Sequence, residues 1–109
     1  MTSFDSALDL AAAIRERRIS PTEAMDLYLG RVDQLDPALN AFAFRDDERA
    51  RADAAAATEL VATSDPESLP PFCGVPIPIK DLNRVQGWPT TYGSRGVPET
   101  PETDDDPPV

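Results

Sequence analysis

The sequence predicts a mainly helical chain with one or two short strands and an extended acidic tail. Three observations predict it. Apolar residues recur at helical spacing through the first half of the chain. One short apolar segment, 74–82, stands between a Pro70-Pro71 pair and a Gly87-Trp88-Pro89 turn. Beyond Gly96 the chain is mostly proline and acid.

Each element has its own signal. Ala7, Leu10, Ala11 and Ile14 repeat at helical spacing, with Arg15, Glu16, Arg17 and Arg18 at the C-terminal end. Ser20, Pro21 and Glu23 then form a helix start: a capping serine, a proline at the first helical position and a glutamate at the third. Ala24, Leu27, Tyr28, Val32 and Leu35 continue as one apolar stripe. Asp36-Pro37 predicts its end, because the residue before proline is pushed out of the helical region. Residues 6–36 therefore read as two antiparallel helices joined near Ile19. Phe42 and Phe44 alternate around Ala43, which fits a turn or a short strand. Asp46 or Asp47 caps a third helix over 46–62, whose run from Ala54 to Ala57 favours helix but offers a shallow packing surface. That helix is expected to lie on a larger body.

The composition changes after Thr63: ten of the twelve prolines and four of the five glycines follow it. Residues 74–96 read as a strand and a loop. In a regular strand Val75, Ile77, Ile79 and Asp81 share one face, and Pro76, Pro78, Lys80 and Leu82 the other. Pro76 and Pro78 lack N–H groups, so ladder bonding is broken on one edge. Residues 97–109 form the tail, which taken alone is extended or disordered.

Composition excludes several classes. Ten Lys plus Arg face twenty Asp plus Glu, a formal net charge of -10, which a phosphate backbone or an anionic membrane surface repels. Cys73 stands alone and makes no internal disulfide. The absence of histidine removes His-based dyads and most zinc sites. Met1, Thr2, Ser3, Phe4 and Asp5 carry no secretory pattern, and no apolar run approaches a membrane span, so a cytoplasmic setting is expected. Leu, Ile, Val and Phe together number 23 of 109, a thin supply for an autonomous core.

Nine of the ten basic residues are arginine and one is lysine, Lys80. The ordinary reading of Lys80-Asp81 is a charged strand end meeting solvent. A second reading is chemical, because arginine fills any surface role but does not deprotonate in proteins. The role that arginine cannot fill is that of a basic group that must be neutral part of the time.

The segment Gly74-Val75-Pro76-Ile77-Pro78-Ile79-Lys80-Asp81-Leu82, followed by Gly87-Trp88-Pro89-Thr90-Thr91-Tyr92-Gly93-Ser94, resembles the amidase signature family. There a Gly-Val-Pro strand ends in Lys-Asp and leads to Gly-x-Pro-Thr-Thr and Gly-Ser. The upstream helices and the Asp36-Pro37-Ala38-Leu39-Asn40-Ala41-Phe42 segment are similar too, so the resemblance covers essentially the whole chain.

The resemblance implies an α/β fold with a large mixed central sheet flanked by helices, of which 1–109 is an incomplete N-terminal part. Asp104-Asp105-Asp106-Pro107 looks like the cap of a following helix. It also implies amide carbon–nitrogen hydrolysis through an acyl-enzyme, with Lys80 as the general base of a serine, cis-serine and lysine triad. The two serines would lie in a glycine- and serine-rich segment that Ser3, Ser6, Ser20, Ser64, Ser68 and Ser94 do not match. Ser94 belongs to the loop after the lysine, and Asp81 reads as structural. A lysine base needs its ordinary pKa of about 10.4 lowered to roughly 7 to 8, a preference of ~4 kcal/mol for the neutral form. The apolar and proline neighbours of Lys80 suit the desolvation this requires.

No cofactor or metal is implied. The expected partner is a small-molecule amide, with no nucleic acid and no membrane, and a homo-oligomer is left open. The isolated chain is expected to be inactive. Two alternatives stand: a glutamine-hydrolysing aminoacyl-tRNA amidotransferase subunit, or a non-catalytic module whose unpaired strand edge seeks a partner. Trp88 and the Asn83-Arg84 pair suggest a stand-alone amidase acting on bulkier amides.

Overall fold

The computed structural model describes residues 4–107 and 109; residues 1–3, part of the N-terminal stretch that lacks a secretory pattern, and Pro108 of the tail lie outside the described residues. The chain divides into two compact units, residues 4–40 with 46–76, and residues 41–45 with 77 onward.

The first unit is helical: α1 (Ala7–Arg15), α2 (Pro21–Leu39) and α3 (Asp47–Thr63), then a short 3-10 turn at Pro66–Ser68. Each long helix starts on a side-chain cap. Ser6 accepts the Asp9 N–H, Asp46 accepts the Arg49 N–H, and at α2 Ser20 and Glu23 complete a reciprocal capping box. The end of α1 turns through Arg17 at φ 59. Its N–H bonds the Ile14 carbonyl and the Arg18 N–H bonds that of Ala13, a Schellman pattern with arginine where glycine is usual. The Arg17 guanidinium donates to the Val61 carbonyl at 3.1 Å, which ties this turn to α3.

The stop expected at Asp36-Pro37 does not occur there, since α2 runs on to Leu39. Pro37 falls in the last turn, where its missing N–H forfeits a single bond. Asn40 in the left-handed region makes the true end, its N–H closing on the Asp36 carbonyl at 2.7 Å. The antiparallel pairing fixed by side chains is that of α2 with α3. The Thr22 N–H donates to Thr58 Oγ1 at 3.2 Å, and further along α2 Asp26 accepts from Arg51 Nε at 3.2 Å, nearer the start of α3.

The core gathers Leu10, Ile14, Ala24, Val61 and Leu69, with Phe4, Ile19, Tyr28, Cys73 and Val75 packed against it. Ile14, 1% exposed, is its largest fully buried aliphatic side chain. Burying such a side chain contributes about 1.5–3 kcal/mol. α3 buries only Ala54 and Val61, in line with its shallow alanine surface. Gly74, at φ +81, lets the chain pass against α2: a Cβ there would sit 2.5 Å from Pro21 Cγ.

The strand expected over 74–82 is not formed. Residues 75–80 have no regular structure, and the described residues hold two isolated bridges and no strand. Pro76 and Pro78 donate nothing to a ladder, and no other segment among the described residues runs alongside to accept one. The second unit is instead built from turns. Residues 39–44, open between turn and strand, form no strand, and Phe44 packs its ring on Trp88 at 5.9 Å and 53°.

The tail is not left loose. The Gly87 N–H bonds the Glu102 carbonyl and the Glu102 N–H bonds that of Trp88, both at 2.9 Å. Asp105 accepts the Gln86 N–H at 2.7 Å, and Arg84 grips Asp106. The acidic tail thus holds residues 84–88 in this chain, a role its acidity alone does not reveal.

Candidate functional site

Lys80 and Asp81 open a tight turn. The Lys80 carbonyl accepts the Leu82 N–H at 2.7 Å and the Asn83 N–H at 3.0 Å. Ten residues on, a second turn closes when the Ser94 N–H meets the Thr91 carbonyl at 2.9 Å. Its central residues, Tyr92 at φ 53 and Gly93 at φ 69, have the two positive φ values that a type I′ turn requires.

Asp81 joins the two turns. Its Oδ1 accepts the Thr91 N–H at 2.7 Å, and its Oδ2 accepts the Thr91 hydroxyl and the Gly93 N–H, the latter at 3.0 Å. The Thr91 side-chain bond and then its backbone bond, with smaller contributions from the Gly93 and Tyr92 N–H groups, hold the Asp81 carboxyl below its ordinary value of 3.8 against the opposing effect of desolvation. Asp81 is therefore an anchored carboxylate. A turn replaces the regular strand in which it was expected on the face opposite Lys80.

Lys80 itself is exposed, and no carboxylate lies within ion-pair distance of it among the described residues. The desolvated surroundings expected from its apolar and proline neighbours are not formed in this chain. Ile77 is 75% exposed and Leu82 46% exposed, so these side chains face outward and do not cover it.

The other candidate residues have local duties. Ser94 Oγ accepts the Gly96 N–H at 3.1 Å, which fits a loop residue. The Arg84 Nε–H donates to Asp106 Oδ1 at 2.8 Å, the Arg84 N–H donates to Oδ2 at 2.8 Å, and the Asp106 N–H returns to the Arg84 carbonyl at 2.9 Å. The backbone and side-chain bonds from Arg84 lower the Asp106 pKa, and the carboxylate in turn raises that of Arg84. Arg84 and Trp88, hints of a bulky substrate in the sequence, are thus engaged in holding the unit together.

Thr91 and Gly93 belong to the motif, but the sequence alone assigns them no role. The available signal is an aspartate followed by a Thr-Tyr-Gly-Ser turn, since such turns present N–H groups to an anion. No group of three or more His, Cys, Asp or Glu is placed to hold a metal among the described residues, and none of the described helices is long and apolar enough to cross a membrane.

Comparison with known proteins adds the family. A sequence model described as Amidase matches residues 23–109. A protein named putative amidase from a Synechocystis species is 44% identical, over 97% of this chain and 22% of its own length. An acylamidase of Rhodococcus erythropolis is 38% identical over 83% of the chain and 18% of its own. A glutamyl-tRNA(Gln) amidotransferase subunit from Thiobacillus denitrificans is 41% identical over 79% and 17%. The chain spans about a fifth of the length of these relatives. The match covers the helices, the Lys80-Asp81 turn and the loop that Asp81 holds, and the chain belongs to the amidase signature family.

Proposed function

We propose that this chain supplies the lysine of a serine-dependent amidase hydrolysing the carbon–nitrogen bond of carboxamides. The observation that carries the reading is Lys80 on a hydrogen-bonded turn, inside the segment matched by the family. A serine hydroxyl attacks an amide only if a base takes its proton, and the departing nitrogen leaves only if it receives one. Neutral Lys80 takes the proton of the nucleophilic serine through a bridging serine as Oγ bonds to the carbonyl carbon. It returns that proton to the nitrogen as the carbon–nitrogen bond breaks. Water, deprotonated by the same route, then cleaves the acyl-enzyme to the carboxylic acid and restores the serine.

Both serines and the oxyanion donors come from polypeptide outside these 109 residues. The same polypeptide completes an α/β fold, pairing segment 75–80 and covering Ile77, Leu82 and Lys80. Support for this comes from the outward apolar side chains and from the chain's one-fifth share of its relatives. On this reading the isolated chain hydrolyses no amide, and turnover by the pure chain that disappears with Lys80→Ala would overturn it.

The direct test of Lys80 is made in the whole amidase polypeptide. Lys80→Arg is expected to lose activity as Lys80→Ala does, by at least about 10²–10⁴-fold, since arginine keeps the charge but is no base. An active arginine variant would sink the general-base role. A second reading, glutamine hydrolysis for aminoacyl-tRNA amidation, is favoured by the relatives named as glutamyl-tRNA(Gln) amidotransferase subunits. Glutaminase activity with a copurifying partner protein would select it over a stand-alone amidase.

A further inference from the structure

Two short turns, 80–83 and 91–94, meet through one side chain, and Lys80 stands on the first of them. Each turn is closed by its own backbone bond, Asn83 to Lys80 at 3.0 Å and Ser94 to Thr91 at 2.9 Å. What joins them is the Asp81 carboxylate, both oxygens of which are occupied by Thr91 and Gly93. The second turn is unfavourable at one of its residues. Tyr92 adopts φ 53, a conformation that an L side chain enters reluctantly, and its side chain is 62% exposed and gains little from packing. The turn is held in that shape from both sides, because the carboxylate accepts the N–H groups flanking Tyr92.

We propose that Asp81 is a positioning residue for Lys80: its carboxylate locks the 80–83 turn onto the 91–94 turn and so fixes the backbone from which the lysine projects. This deepens the function proposed above and rests on the general-base role of Lys80. The geometry explains the residue type. Aspartate is short enough to reach the second turn from the position next to Lys80, and it offers two acceptor oxygens to three donors. Asparagine keeps one oxygen and sets an NH2 group against a donor that has then lost its acceptor. A long, flexible lysine side chain loses precision when its own Cα wanders, and a misplacement of about 1 Å at a reacting group costs on the order of 100-fold in rate.

The test has two readouts. In the chain, Asp81→Asn is expected to speed hydrogen exchange at the Thr91 and Gly93 amides by about 10- to 100-fold, with α1, α2 and α3 unchanged. Unchanged exchange at both amides overturns the proposal. In the whole amidase polypeptide, Asp81→Asn is expected to lower kcat by about 100-fold with KM within about twofold, and to add no loss on a Lys80→Ala background. A full additional loss on that background, or an effect confined to KM, overturns positioning through the lysine. Thr91→Val removes only the hydroxyl donor and shifts the same readouts in the same direction by less. If Lys80→Ala leaves kcat intact, the general-base role itself fails; the exchange result reports separately on whether Asp81 holds the turns.

Discussion

Replacing Gly74 by alanine tests how the chain enters the lysine segment. Gly74 opens the Gly-Val-Pro sequence and sits at φ +81 against the first turn of α2. Two costs follow. An L side chain in the left-handed region costs roughly 1–2 kcal/mol. The added methyl would also lie 2.5 Å from Pro21 Cγ and 3.0 Å from Pro21 Cβ, while Ile14 Cδ1 at 3.5 Å is in ordinary contact. Pro21 is fully buried and its ring has no alternative rotamer to retreat into, so the overlap moves backbone, at about 1–3 kcal/mol. The sum is roughly 2–5 kcal/mol. Urea unfolding followed by circular dichroism at 222 nm reads it directly. With a slope of about 1–3 kcal/mol/M, the midpoint falls by about 0.7 M or more. On a Pro21→Gly background, which removes the ring that the methyl strikes, the cost drops to the backbone part alone. A midpoint that Gly74→Ala leaves in place would refute the reasoning, and an equal cost in both backgrounds would refute the overlap.

Ile14→Ala, at the centre of the same unit, is expected to cost about 2–5 kcal/mol in the same assay, because its 1% exposed side chain leaves a cavity among Leu10, Ala24, Val61 and Leu69. The second unit carries the acid sensitivity. The folded pKa values of Asp81 and Asp106 lie below the ordinary 3.8, so the stability they contribute is complete above that value and is lost as pH falls through the folded values. Trp88 fluorescence is therefore expected to hold steady from pH 7 to about 5 and to change progressively below it; a transition centred above pH 5 would contradict the assignment.

What is legible in the sequence follows the range of the interactions involved. Ser20, Pro21 and Glu23 announce the start of α2, because a cap is complete within four residues. The end of α2 lies three residues beyond the stop that Asp36-Pro37 predicts, since Asn40 in the left-handed region outweighs the signal of Pro37. The strand over 74–82 fails for a different reason. An alternating apolar pattern describes a side-chain arrangement, but a strand exists only when another backbone bonds to it, and none of the described residues does so. The Arg84–Asp106 and Asp81–Thr91 contacts, 22 and 10 residues apart, leave no periodic trace at all.

The sequence by itself determined the three helices, the thin core and the family, because caps, spacing and the Lys80-Asp81 motif are local patterns. Tertiary structure alone decided which turn the structural Asp81 holds and that the acidic tail binds residues 84–88. It also decided that Lys80 stands exposed on a turn and not buried on a strand. Each of those outcomes depends on which donors meet which acceptors across the chain, and residue order does not contain that pairing.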